Sequence, residues 1–305
     1  MRNTIRLLFA ASLAVTCTTV FSAAFNVPPA ENSLVGQLQY RQIGVEEPIT
    51  AIQQQYNVGF NAIKSANPHI DPTKSFPVGS TLLIPGQHIL PNQPRQGIVI
   101  NLPEMRMYYY PAGTSEVLTY PIGIGKIGKT IPITNTAITR KVKNPVWVPP
   151  ADIREYNLEQ GIVLPKVLPA GPDNPLGPYA IYMRIPTYLI HSTIFPESVG
   201  KRASFGCIRM YESDIKEFFP SVEGGIPVTI INSPVKVGWQ DNFLYIEAHH
   251  PLEEHSSSFD ATLPGMVHMI SNQTQNQPTL VDWQLVAFIA KERDGVPHDI
   301  GMRIH

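Results

Sequence analysis

Proline sets the first limit on what this chain can fold into. Thirty of 305 residues are proline, about twice the usual share of roughly 5%, and they are spread along the whole sequence. A proline ring fixes φ and removes an N–H, so it interrupts helix interiors. A long coiled coil is therefore excluded. Charged residues make up only 15% and hydrophobic ones 43%, which does not fit charge-driven disorder. The expected product is a strand-rich, loop-rich globular protein. At roughly 100–200 residues per domain the length suggests about two domains. The formal net charge of −1 gives no polybasic surface for nucleic acid, and nothing favours a membrane-surface protein.

The first 24 residues read as a secretory signal peptide. Arg2 and Arg6 precede a mostly apolar run, residues 7–21, and Ser22-Ala23-Ala24 offers small residues for cleavage after Ala24. The run falls short of the ~20 apolar residues that span a bilayer, and nothing later approaches that length, so the mature chain should be exported with no transmembrane segment. Thr16 precedes Cys17 where a lipidated cysteine expects a smaller residue. Cleavage leaves Cys207 as the single thiol, unable to pair internally. A lone cysteine is either an inert buried hydrophobe or a reactive group.

Residues 25–37 read as a loose linker. In residues 38–86, Ile49, Ile52 and Tyr56 recur at helical spacing, followed by Val58, Phe60 and Ile63. Ala66-Asn67-Pro68 ends the helical part, and Val78–Pro85 reads as a turn and a strand. A second linker, Gln87–Gln96, leads into strand signals. Gly97–Leu102 and Met105–Tyr110 form a hairpin; Val117–Ile124, Ala137–Lys143, Ala180–Ile185, Thr187–His191 and Pro227–Ile231 are further strands. Ser213 is placed to N-cap a short helix through Phe219. Residues 97–232 thus suggest an all-β sheet or barrel. Residues 233–305 form an extension with a strand at Phe243–Ala248, a polar stretch, and an amphipathic helix over Leu280–Arg293.

The chemistry concentrates in Ile190-His191-Ser192-Thr193 and Ala203-Ser204-Phe205-Gly206-Cys207-Ile208-Arg209-Met210. His191 ends an apolar strand, where its ring can be held rigidly. Sixteen residues on, enough for a returning loop, Cys207 follows Gly206, which permits close backbone approach. An imidazole can take the thiol proton, and the resulting imidazolium favours the sulfur anion. The N–H groups of Gly206 and Cys207 are candidates for an oxyanion site. This constellation suits acyl transfer through a thioester. A strand-end histidine and an unrelated buried cysteine would leave the same spacing.

These residues closely resemble the signature of the L,D-transpeptidase (YkuD) family: His191, a loop, then Ser204, Gly206, Cys207, Ile208 and Arg209. Residues 97–232 are similar throughout, including Tyr120–Lys126 and Pro169–Pro175; the latter, with Trp147 and Val235–Gly238, resembles the ErfK/YbiS branch. Phe205 stands where many members carry a second histidine. The resemblance implies a mainly β catalytic domain of YkuD-like sandwich or barrel form, with a short C-terminal α/β extension. It also implies a role in peptidoglycan cross-linking, cell-wall biogenesis and cell shape. Cys207 would be the nucleophile and His191 the proton donor and acceptor, with Ser192, Ser204, Gly206 and Arg209 supporting substrate or oxyanion; no cofactor or metal is implied. The donor would be a peptidoglycan tetrapeptide stem that loses D-Ala. The acceptor amine would belong to an outer-membrane lipoprotein or another stem, which places the enzyme in the periplasm. An L,D-carboxypeptidase using water, or a non-catalytic cell-wall binding protein, are the alternatives. Residues 38–86 resemble a LysM domain, a small α+β glycan-binding module, although its usual Gly-Asp-Thr opening is absent. Such a module would hold the enzyme on glycan strands and leave turnover of a small soluble tetrapeptide unaffected.

Three other features are discounted. Gly123–Lys129 lacks the Walker spacing and reads as a turn between strands. Glu247, His249, His250, Glu254 and His255 satisfy no fixed metal spacing. Tyr108–Tyr110 reads as a strand with one buried face rather than a ligand platform.

Overall fold

The computed structural model of the chain describes residues 23–71 and 75–304, so residues 1–22 of the expected signal lie outside the described residues. No helix among the described residues is long and apolar enough to cross a membrane.

Two strands and two helices form the first unit. β1 (Ala23–Asn26) is followed by β2 (Leu34–Gln42), α1 (Ile49–Tyr56), α2 (Phe60–Ala66) and β3 (Thr81–Ile89). β2 and β3 pair antiparallel along their full length, and the helices pack Ile52 and Ile63 against Ile43, Phe76, Leu82 and Ile84. α1 stops at Asn57, whose left-handed φ of 52° turns its N–H back onto Gln53 and Gln54 carbonyls. Asn67 ends α2 and ties it to β3: its side-chain amide donates to Ile63 and Leu83 carbonyls, and its Oδ1 accepts the Leu83 N–H. The expected loose linker at 25–37 is strand at both ends, with only residues 27–33 irregular. β1 pairs with residues 116–119, and β2 begins at Leu34 because its partner strand runs on to Ile89.

The central unit contains β4 (Gly97–Asn101), β5 (Arg106–Tyr110), β6 (Glu116–Pro121), β7 (Ile124–Gly125), β8 (Thr134–Lys143), α3 (Ala151–Glu159), β9 (Tyr179–Met183), β10 (Leu189–Ser192), β11 (Arg202–Ser204), β12 (Ile208–Met210), α4 (Glu212–Ser221) and β13 (Pro227–Ile231). Nine strands form one open sheet in the order β1-β6-β5-β4-β13-β8-β9-β10-β12, and β7 pairs with β11 in a small separate ladder. The architecture is mainly β, as expected, but it is not a closed barrel: the sheet ends at β1 and β12. Every residue of β5 is buried, so this strand is covered on both faces. The tyrosine run, expected to bury one face, is buried on both, with Tyr109 and Tyr108 in different core clusters. Val117–Ile124 divides into β6 and β7. α4 starts at Glu212 with Tyr211 as its N-cap and no side-chain cap, so Ser213 comes two residues too late for that role. α3 was not legible: none of its residues is buried, so it carries no apolar period.

The C-terminal extension is a four-stranded sheet, β14 (Val235–Gln240), β15 (Phe243–Ala248), β16 (Thr279–Val281) and β17 (His298–Arg303), in the order β14-β15-β17-β16, covered by α5 (Leu263–Thr274) and α6 (Trp283–Glu292). The polar stretch contains α5, and the expected helix over 280–293 divides into edge strand β16 and α6. Asp282 caps α6 by accepting N–H bonds from Gln284 and Leu285.

The three units meet at a buried ionic cluster. Lys236 on β14 places its ammonium 2.9 Å from Glu104 Oε1 and 2.9 Å from Glu247 Oε1. Glu247 Oε2 accepts the Ile89 N–H of β3 at 2.6 Å, and Tyr108 donates its hydroxyl to Glu104. His88, Glu104 and Glu247 lie close enough to hold a cation, and the Lys236 ammonium already stands between the two carboxylates.

Candidate active site

The two candidate residues are placed by one parallel ladder. β10 and β12 align Ile190 with Ile208, His191 with Arg209 and Ser192 with Met210. Directly opposed residues share a sheet face, and so do residues two apart on a strand. His191, Arg209 and Cys207, just before β12, therefore project toward the same side. All three line one cleft of about 660 Å³, roofed by the segment between β8 and β9 that carries α3.

His191 is 4% exposed. Its Nδ1 lies 2.5 Å from the Ser192 carbonyl. A carbonyl only accepts, so Nδ1 carries the proton and Nε2 keeps a lone pair for the thiol. Burial, with the Arg209 guanidinium beside it, lowers His191 from 6.5 to about 4. The Cys207 thiol donates to the Thr187 carbonyl at 3.6 Å. Burial pushes its pKa above the ordinary thiol value, against the opposing effects of the backbone and Arg209. At neutral pH the resting pair is thus a thiol beside a neutral imidazole. A neutral imidazole does not by itself supply the imidazolium charge that would favour the sulfur anion.

The supporting residues divide. Ser204 Oγ donates to the Cys207 carbonyl at 2.6 Å and accepts the Gly206 N–H at 3.0 Å, closing the turn around the nucleophile. The Gly206 N–H is consumed there, which removes it from an oxyanion role. Gly206 is required for space and conformation: its φ is +111°, and a Cβ would meet Tyr188 at 2.5 Å. Ser192 is fully buried; its hydroxyl donates to the Leu176 carbonyl and accepts the Tyr179 N–H. It anchors the end of the roof segment through these bonds. Arg209 reaches the cleft with its Nε buried and unpartnered.

Several residues escaped sequence reasoning. Phe205 stacks edge-on with Tyr156 of α3, centroids 5.1 Å apart, and Lys126 Nζ lies 3.8 Å and 3.4 Å from the two ring centres. The Lys129–Asp152 pair, 2.8 Å, adds a second contact from α3 to the site turn. Tyr188 and the Thr187 carbonyl flank Cys207 from the approach to β10. An apolar strand pattern contained Tyr188, but nothing local signals that its ring walls Gly206. Of the discounted acidic and histidine residues, Glu254 instead pairs with Arg202 and Glu247 with Lys236.

Comparisons with known proteins show the family. The L,D-transpeptidase catalytic domain (YkuD) model matches residues 95–230. The chain is 40% identical over 280 residues to "Probable L,D-transpeptidase YcfS" of Escherichia coli K12, covering 90% of this chain and 87% of that one. It is 38% identical over 311 residues to "Probable L,D-transpeptidase YbiS" of the same strain, 97% and 99% covered. It is 39% identical over 287 residues to "Probable L,D-transpeptidase ErfK/SrfK" of Salmonella typhimurium LT2, 91% covered in each. The NMR structure of the catalytic domain from E. faecium L,D-transpeptidase aligns at a TM-score of 0.36 and 24% identity, over 46% of this chain and all of that one. The chain belongs to the L,D-transpeptidase (YkuD) family of enzymes.

Proposed function

We propose that the chain is an exported enzyme that acylates Cys207 with a peptidoglycan tetrapeptide stem and passes that stem to an amine. The observation that supports this most is the shared face of His191 and Cys207 across one parallel strand pair, opening into one cleft. The Cys207 proton moves to His191 Nε2 as sulfur attacks the carbonyl between the third and fourth stem residues. The C–N bond then breaks, and His191 returns the proton to the departing D-Ala amine. An acceptor amine attacks the thioester, gives its proton to His191, and the C–S bond breaks to restore the thiol. With the Gly206 N–H engaged, the Cys207 N–H is left to meet the oxyanion. The Arg209 guanidinium, with its Nε unpartnered, suits a stem carboxylate.

The acceptor is a lipoprotein lysine or the amine of another stem. Cleavage after Ala24 would release a mature periplasmic chain that keeps Phe25 and Asn26 of β1. The 34–89 unit, a strand–helix–helix–strand arrangement, suits a LysM-like glycan contact. The test is muropeptide mass spectrometry with purified sacculi. Wild type should generate stem-to-amine products and free D-Ala, and Cys207→Ala should generate neither. Tripeptide stems with no amine adduct would instead assign a carboxypeptidase, and unchanged sacculi a binding protein.

A further inference from the structure

The N-terminal unit reaches the nucleophile through backbone. α2 has Gly59 at its N-cap and no side-chain cap, so its first N–H groups need outside acceptors. The central unit supplies them: the Phe60 N–H donates to the Val199 carbonyl at 3.3 Å and the Asn61 N–H to the Gly200 carbonyl at 3.1 Å. Buried Gln53 of α1 donates its amide to the same Val199 carbonyl at 3.4 Å. Asn57 donates to the Thr119 carbonyl at 2.8 Å, and Arg106 donates back to the Asn57 carbonyl at 3.1 Å. The approach is close enough to need glycine on both sides. A Cβ on Gly59 would lie 2.8 Å from Gly200 Cα, and one on Gly200 would lie 2.2 Å from Phe60 N.

From Gly200 an unbroken series of backbone bonds leads to Cys207. The Gly200 N–H donates to Ile122, the Ile124 N–H to Lys201, and the Lys126 N–H to Ser204. Ser204 then holds both the Gly206 N–H and the Cys207 carbonyl. We propose that the 34–89 unit is a positioning element for Cys207: α1 and α2 clamp Val199–Gly200, and the β11 strand transmits that clamp to the nucleophile turn. This rests on the transpeptidase reading of the site. It replaces the expectation that the unit leaves turnover of a soluble tetrapeptide unaffected.

Gly59→Val is the direct perturbation. Gly59 has an ordinary φ of −85°, so a larger residue acts by wedging the interface rather than by straining its own backbone. Gln53→Met removes the side-chain donor at similar volume and guards against a misfolded wedge variant. Steady-state kinetics on a soluble tetrapeptide are measured in the full chain, with folding followed by circular dichroism. Iodoacetamide labelling of Cys207 is read in parallel by peptide mass spectrometry. A displacement of the order of an ångström costs up to about 100-fold in turnover. Gly59→Val should therefore lose about tenfold or more in kcat with KM within about twofold of wild type, and Gln53→Met should shift in the same direction by less. Cys207 labelling should change in both. Two folded variants with wild-type kcat and wild-type labelling would overturn the proposal. Labelling reads the clamp without substrate, so a wild type that fails to turn over tetrapeptide would refute the transpeptidase reading while labelling still decides this one.

Discussion

Replacing Lys236 by methionine should expose how much the three-unit junction depends on one ammonium group. Lys236 is 2% exposed at its side chain, and its partners Glu104 and Glu247 are 2% and 0% exposed. Burial pushes Glu104 upward, but Lys236, with other nearby cations and the Tyr108 hydroxyl, pulls it from 4.5 down to about 2. Methionine keeps the volume and removes the charge, leaving two carboxylates buried without their bridge. Removing one partner of a buried ion pair costs about 3–5 kcal/mol. At roughly 2–4 °C per kcal/mol for a chain of this size, Tm should fall by about 6–20 °C at pH 7. The penalty shrinks in acid. The wild-type Glu104 pKa is depressed, so its contribution is present above the unfolded value of 4.5 and is lost as pH falls toward 2. In Lys236→Met the carboxyl is raised by burial, so the variant sheds its penalty as pH falls and the carboxyl protonates. Thermal unfolding by circular dichroism at pH 7 and pH 4.5 should therefore show the gap between the two proteins narrowing in acid. A variant within about 0.5 kcal/mol of wild type at pH 7, the usual range for surface changes, would refute this account of the junction.

Other expectations follow from the same geometry. His191→Gln should keep the fold and lose D-Ala release by at least about 100-fold, the low end for a general acid–base; wild-type turnover would remove it from the mechanism. Because His191 sits at about 4, the acid limb of kcat/KM should lie near pH 4 rather than near the ordinary imidazole value of 6.5, read from initial rates across pH. The stability counterpart is full above pH 6.5 and is lost between 6.5 and 4, worth about 3 kcal/mol for that lowering, and is measured as denaturant midpoints absent from His191→Gln. Ser204→Ala should cost about 1–3 kcal/mol in stability and slow Cys207 acylation, since the Gly206 N–H loses its acceptor; urea unfolding and burst kinetics check the two effects.

Much of the candidate site was legible because its requirements are local. An apolar run ending in His191 and a Ser-x-Gly-Cys turn carry their chemistry in adjacent residues, and the structure brings them onto one strand pair. Gly206 was readable as a close-approach residue, although its neighbour is Tyr188 rather than substrate alone. Non-local partners were not legible. Ser192 looked like a site residue by adjacency to His191, yet its hydroxyl is spent on Leu176 and Tyr179 across the sheet. α3 has no buried face, so periodicity had nothing to register, and its contact through Tyr156 depends on Phe205, about 50 residues away in sequence. β1 and the early start of β2 at Leu34 were missed for a related reason. Short runs such as Ala23–Asn26 become strands only because β6 offers them a ladder. Glu247 fitted no metal spacing in the sequence, and only tertiary packing shows it to be the buried partner of Lys236.

The central claim is that Cys207 carries the acyl group. Purified chain is mixed with a disaccharide tetrapeptide in the absence of an acceptor, quenched in acid, and its intact mass and tryptic peptides are read by mass spectrometry. The predicted result is a mass increase equal to the tetrapeptide ligand less D-Ala, located on the Cys207 peptide, released by hydroxylamine and absent in Cys207→Ser. D-Ala release by Cys207→Ser at the wild-type rate, or an adduct on any other residue, would contradict it.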